Sequence, residues 1–149
     1  MERQGRPEGS EILTHVEFRS DLFPPYEGED KEINPGIYGK RFAEFIRDGL
    51  RGEGVESSDP FAEDWGWVVS IRNDGFHLWI GCGNTEDETD RFLCFIEPHR
   101  PVIRRFLCFG AINTSAQVTA LQQAIDDVLR ADPAVSDVQW RSHEEFHAR

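Results

Sequence analysis

The stretch EDWGWVVSIRNDGFHLWIGCG, residues 63–83, carries three of the four tryptophans of this 149-residue chain. Before its central NDG triplet, every second side chain is apolar and faces one side: Trp65, Trp67, Val69 and Ile71. After the triplet the same alternation continues with Phe76, Leu78, Ile80 and Cys82. A period of two predicts β-strands, and Asn-Asp-Gly is typical of a tight hairpin turn. The stretch therefore predicts a β-hairpin at the centre of a sheet.

Three further segments are predicted to be strands. Residues 12–19, ILTHVEFR, and residues 91–97, RFLCFIE, alternate in the same way, and AVSDVQW at 134–140 indicates a short final strand. Residues 98–113, PHRPVIRRFLCFGAIN, are compatible with a short helix, a strand or a covering loop.

Two segments have helical spacing. In the first, Asn34 is the expected N-cap with Pro35 at the first helical position, and Gly52 or Gly54 is the expected end. Gly39 would lower the stability of this helix, which predicts close packing against another backbone there. In the second, Thr114 and Gln117 match a capping box before an apolar stripe that runs from residue 118 to residue 129.

The order β-α-β-β-β-α-β predicts an α+β fold: a mostly antiparallel sheet with two helices on one face, as in a ferredoxin-like sandwich. The polar residues 1–10 predict a disordered N-terminal tail. We expect a single domain over residues 11–141, and a C-terminal tail over residues 142–149.

The charge balance restricts the classes of partner. Sixteen basic against 28 acidic side chains leave a net charge of −12, whereas binding to phosphate backbones requires an excess of Lys and Arg. We therefore expect no nucleic acid and no membrane partner, and a basic protein partner is compatible with the charge. Neither a membrane-length apolar run nor a secretory signal is found, which predicts a cytoplasmic protein.

The three cysteines, Cys82, Cys94 and Cys108, have no close C-x-x-C spacing. This pattern is typical neither of a disulfide framework nor of a structural zinc site, so we expect small buried apolar side chains.

The segment HEEFH, residues 143–147, matches the H-E-x-x-H motif, in which His143 and His147 would bind zinc and Glu144 would act as the base. The motif lies at the end of the printed sequence, where helices fray, and no ligand follows it. We therefore expect no metal ion and no cofactor.

The sheet face opposite the expected helices has a mixed character. It collects apolar, aromatic and titratable side chains, and its candidate binding residues are His15, Glu17, His77, Trp79 and Phe95. The face is either covered by residues 20–30 or 100–112, or open for binding. A third possibility is a small pocket in which His15, Glu17 and His77 perform acid–base chemistry under Trp79.

The combination of SDLFPP, GED and NPG, between residues 20 and 36, with EDWGW and LWIGCG resembles a family of uncharacterised bacterial proteins. The resemblance implies a bacterial origin and one compact domain, and it implies no activity and no functional residues.

No catalytic set of residues emerges, so a binding role is favoured over an enzymatic one. The leading hypothesis is a protein-binding module, comparable to an immunity protein or a secretion chaperone. The alternatives are a small-molecule-binding or enzymatic domain that uses the face around His77 and Trp79, and a structural domain that forms a homodimer through this face.

Overall fold

The computed structural model describes residues 12–85, 88–104 and 110–148, and within them the chain forms eight strands and four helices. The strands are β1 (Leu13–Ser20), β2 (Phe61–Glu63), β3 (Gly66–Ile71), β4 (Leu78–Asn84), β5 (Arg91–Glu97), β6 (Val102–Arg104), β7 (Ala111–Asn113) and β8 (Val135–Ser142). The helices are α1 (Glu29–Glu32), α2 (Lys40–Gly52), α3 (Ser115–Arg130) and α4 (His143–His147). The expected N-terminal tail over residues 1–10, together with Glu86, Asp87 and Cys108, lies outside the described residues.

Six strands form the main sheet in the order β2-β3-β4-β5-β1-β8, and β6 pairs with β7 in a separate two-stranded sheet. Every pairing between neighbouring strands is antiparallel. The expectation of an α+β fold with a mostly antiparallel sheet is confirmed. The ambiguous segment 98–113 supplies the short strands β6 and β7.

The ferredoxin-like topology is not confirmed, because the strand order is different. In a ferredoxin-like sheet a helix links two strands that have one other strand between them. Here α2 links β1 to β2 at the far edge of the sheet, with three strands between them. The chain after β1 therefore crosses most of the sheet before it pairs again.

The hairpin predicted over residues 63–83 is formed by β3 and β4, and its alternation holds within the strands. The side chains that face the core are Trp67, Val69, Ile71, Leu78, Ile80 and Cys82. The expectation that Trp65 faces the same side as Trp67 is wrong. Trp65 precedes β3 and contacts Trp79 and Phe95 on the opposite face of the sheet. The alternation of side chains between the two faces is interrupted at Gly66. Its φ of 157° lies in a region that residues with a side chain rarely adopt.

The helices α2 and α3 cover the core side of the sheet. Their buried side chains form one cluster with those of the strands, and Gly49 of α2 lies directly against Val128 of α3. The apolar stripe predicted for α3 is confirmed, but the capping box is not formed: the Thr114 side chain makes no cap hydrogen bond, and its hydroxyl donates to the carbonyl of Arg100. Among the described residues, no helix is both long enough and apolar enough to span a membrane.

The start of α2 differs from the expectation at Asn34 and Pro35. The helix begins at Lys40, and Gly39 is its N-cap with a φ of 147°. The close backbone approach expected at Gly39 is confirmed, since a Cβ atom there would lie 3.0 Å from the Cα atom of Gly83.

A buried carboxylate accepts the hydrogen bonds of the first backbone amides of α2. It takes the place of the usual Ser, Thr, Asp or Asn side chain at the N-cap. Glu29 is only 1% exposed, and its Oε2 accepts hydrogen bonds from the backbone N–H groups of Gly39 (2.8 Å) and Lys40 (2.9 Å). The same oxygen accepts from the Trp67 indole at 3.1 Å, and Oε1 accepts from the Tyr26 amide at 3.0 Å. Glu29 therefore connects the loop after β1 to both α2 and β3.

We expect Glu29→Ala to lower the free energy of unfolding by about 3 kcal/mol or more, because four donors lose a charged acceptor and the buried ones are left unpaired. The matched control is Glu32→Ala, which removes an exposed carboxylate from the same short helix. Urea denaturation measures both changes. A loss for Glu29→Ala no larger than that for Glu32→Ala would contradict the role assigned to this carboxylate.

Candidate functional site

The candidate site lies on the second face of the sheet, the one opposite α2 and α3. Phe95 of β5 is at its centre, with His15 of β1 and Gly81 of β4 as its register partners on either side. A Cβ atom on Gly81 would lie 2.4 Å from the Phe95 ring and 2.7 Å from the Trp65 ring. The missing side chain at Gly81 therefore makes room for both rings on the sheet surface.

Four of the five candidate binding residues join in a continuous series of rings, here called the aromatic row. The ring centroids of His77 and Trp79 are 6.3 Å apart, those of Trp79 and Phe95 are 5.8 Å apart, and those of Phe95 and His15 are 5.6 Å apart. Phe146 of α4 extends the row, with its ring 4.7 Å from that of His15.

Glu17, the fifth candidate, lies on the same face but is engaged by arginines. Its Oε1 accepts a hydrogen bond of 2.8 Å from Arg141, and its Oε2 lies 3.6 Å from the guanidinium of Arg91. His77 is at the opposite end of the aromatic row from His15, next to the hydroxyl of Ser70 at 3.4 Å. The structure therefore does not bring His15, Glu17 and His77 together in one acid–base pocket.

Trp65 forms one wall of an apolar cleft beside the aromatic row. Its indole is 41% exposed, and its ring centroid lies 5.2 Å from that of Phe95 and 6.2 Å from that of Trp79. The cleft has a volume of about 250 Å³. The residues that line it are Trp65, Gly83, Asn84, Leu93 and Phe95.

The His15 end of the aromatic row is covered by α4. This helix lies in the segment 142–149, where a C-terminal tail is expected from the sequence. A capping box holds the start of this helix: the Ser142 hydroxyl accepts from the Glu145 amide, and the Glu145 carboxylate accepts from the Ser142 amide. Together with the packing of Phe146 on His15, this cap fixes α4 against β1.

Four of the five histidines of the chain meet where α4 covers the sheet, and they are here called the histidine cluster: His15, His99, His143 and His147. Potential metal-ligand atoms of His15, His143 and His147 all lie within 4.8 Å of one another, as do those of Glu97, His99 and His143. The sequence contains the H-E-x-x-H motif, but it has no signal that His15 and His99, so distant along the chain, lie beside it.

Two members of the histidine cluster, His15 and His143, are held in the uncharged form at neutral pH. Burial, with a further contribution from His143, His147 and His99, lowers the pKa of His15 to about 4. Burial and the neighbouring imidazoles His99 and His147 also lower the pKa of His143. In each ring one nitrogen is therefore unprotonated at neutral pH, and it can accept a hydrogen bond or bind a metal ion.

Among the described residues, Cys82 and Cys94 belong neither to the cleft nor to the histidine cluster. Cys82 and Cys94 are direct partners across β4 and β5, buried in the core as expected, and both are free thiols. Burial raises the pKa of the Cys82 thiol well above its usual value, so this thiol is unreactive as a nucleophile.

Searches against protein-family models, curated proteins and solved structures found no match to this chain. The bacterial family suggested by the sequence pattern stays an expectation.

We expect the stability of the protein to fall by roughly 2 kcal/mol between about pH 7.5 and about pH 5 because of His15 alone. The pKa of His15 is near 6.5 in the unfolded chain and about 4 in the folded protein, so acid protonates the unfolded chain first and favours unfolding. Urea denaturation at both pH values in EDTA measures this effect. The loss of unfolding free energy between the two pH values should be smaller in His15→Gln than in the wild type, and in His77→Gln it should equal that of the wild type. Equal losses in all three proteins would contradict the assignment of this pH dependence to His15.

Proposed function

We propose that this chain is a protein-binding module whose partner is a basic protein that docks on the second face of the sheet. The observation that carries the proposal is the position of Trp65: a large aromatic residue, 41% exposed, that borders an apolar cleft on this face. Exposed apolar patches of this kind mark interaction sites, and tryptophan is enriched among the residues that dominate binding energy.

The size of the cleft favours a protein partner over a free small molecule. Pockets for drug-sized ligands enclose roughly 300–1,000 Å³. The cleft beside Trp65 encloses about 250 Å³, which suits a single aromatic or branched aliphatic side chain. An anchor residue of this type, inserted from a partner surface, is the usual core of a protein interface.

Another exposed apolar side chain lies at the edge of the same face. Gly81 pairs with Val68, and Val68 pairs with Phe61, which is 45% exposed on the edge strand β2. Val68 between them is only 4% exposed, so Phe61 offers a partner a second apolar contact that is separate from the cleft.

The charges favour a basic partner over a second copy of this chain. The exposed carboxylates of Glu63 and Asp64 immediately precede Trp65, and the chain as a whole has a net charge of −12. Complementary charge accelerates the encounter with a basic protein, whereas a homodimer would bring two acidic surfaces together.

We expect the photo-reactive residue p-benzoylphenylalanine at position 65 to crosslink to a basic protein in cells that naturally produce this chain, because this position borders the cleft. The matched control carries the same residue in place of Val102, which is 50% exposed on the two-stranded sheet, and should not capture that protein. Mass spectrometry identifies the products. Equal products at both positions, or a second copy of this chain as the only product, would count against the proposal.

For the captured partner, we expect Trp65→Ala to weaken binding by about 30-fold, the loss that corresponds to a residue at the centre of an interface. Val102→Ala should remain within about twofold of the wild type. Surface plasmon resonance at two salt concentrations measures the affinities, and association should slow as salt screens the acidic face. Wild-type affinity in the Trp65→Ala variant would overturn the proposal.

A further inference from the structure

We propose that His15, His143 and His147 bind a divalent transition-metal ion of the Zn²⁺ class, with three imidazole ligands and a fourth position open. This site is distinct from the cleft beside Trp65, and it does not depend on the protein-binding function proposed above. The sequence disfavoured a metal here because the motif lies at the end of the chain and lacks a further ligand. In the fold, β1 supplies that third ligand and α4 is packed in place.

The spacing of the two motif histidines suits a shared ion. His143 and His147 are four residues apart on α4, so their side chains project from the same side of the helix, and their ring centroids are 4.3 Å apart. His15 reaches the same point from the sheet, with its ring centroid 5.5 Å from that of His143 and 5.7 Å from that of His147.

The orientations of the rings distinguish the three proposed ligands from the neighbouring His99. A metal ion lies near the plane of each imidazole that binds it, so three rings around one ion must be inclined to one another. The rings of His15, His143 and His147 are inclined at 61°, 78° and 55° in their three pairs. His99 instead stacks on His143 at 3.6 Å and 10°, so the two rings cannot both direct a lone pair at the same ion.

The donor atoms are close to the separation that zinc requires. Zn–N bonds of about 2.0 Å in a tetrahedral site place neighbouring nitrogens about 3.3 Å apart. The donor atoms of the three histidines lie within 4.8 Å of one another. His147 is exposed, so rotation of its side chain can shorten these separations.

Hydrogen bonding around the cluster agrees with a metal-binding role. Nδ1 of His15 lies 2.9 Å from the Thr14 hydroxyl, and donation from Nδ1–H to this hydroxyl leaves the lone pair on Nε2. Nδ1 of His143 is buried and has no hydrogen-bond partner among the described residues. A buried polar atom without a partner is costly, and ligation of this imidazole is one way to offset the cost.

The chemistry of the donors selects the ion. Three neutral imidazoles without a thiolate suit Zn²⁺, Co²⁺, Ni²⁺ and Cu²⁺ better than Mg²⁺ or Ca²⁺, which prefer oxygen ligands. The negative charges of Glu144 and Glu97 act on His143 and offset part of the charge of a bound cation. Three protein nitrogens leave the fourth position of a tetrahedral site to water.

Titration of untagged, EDTA-treated protein with Zn²⁺ in a calorimeter tests the site. We expect one ion per chain, and Co²⁺ in its place should give the visible absorption bands of a four-coordinate ion. Saturating Zn²⁺ should raise the melting temperature by about 5 °C or more. Absence of stoichiometric binding would overturn the proposal.

Three matched variants identify the ligands, and circular dichroism checks that each one folds. His147→Gln should weaken Zn²⁺ binding by about 100-fold or more, whereas His77→Gln, outside the histidine cluster, should leave it unchanged. His99→Gln should bind Zn²⁺ more strongly than His147→Gln does. The reverse order would overturn the ligand set in favour of Glu97, His99 and His143. Trp65→Ala should bind Zn²⁺ normally, so failure of the proposed function leaves this test intact.

Discussion

The carboxylate of Glu29 is the interaction on which the arrangement of the other elements depends. A buried charge is stable only when its hydrogen-bonding capacity is used, and here the amides of Gly39 and Lys40, the indole of Trp67 and the amide of Tyr26 supply the donors. The carboxylate also lies at the N-terminus of α2, where the helix dipole favours negative charge. One side chain thus sets where the helix begins and how it is joined to the sheet.

The two faces of the sheet are covered differently. On the first face, α2 and α3 exclude water from a continuous apolar core. On the second face, α4 covers only the end at His15, and Trp65 packs over Gly81 without closing the surface. The aromatic row between them remains partly accessible, and both proposed sites lie on this face.

The two proposals concern opposite ends of that face, and Phe95 lies between them. Its ring contacts Trp65 on the side of the cleft and His15 on the side of the histidine cluster. A metal ion held by His15 and α4 would stabilise the covered end of the face, while a partner would use the open end. Because different residues carry the two sites, each can be removed by mutation without loss of the other.

The sequence by itself determined five of the strands, β1, β3, β4, β5 and β8, with the hairpin and the apolar sides of α2 and α3, because local periodicity records which side of an element is buried. It did not predict β2, and it left the segment that forms β6 and β7 ambiguous. It also located four residues of the aromatic row, His15, His77, Trp79 and Phe95, since they alternate with core residues. It did not predict the strand order, the facing of Trp65, the cap supplied by Glu29 or the histidine cluster. Each of these results from side chains that are far apart in the chain or from a single glycine at a strand end. Only tertiary packing brings such groups together, and no local pattern encodes it.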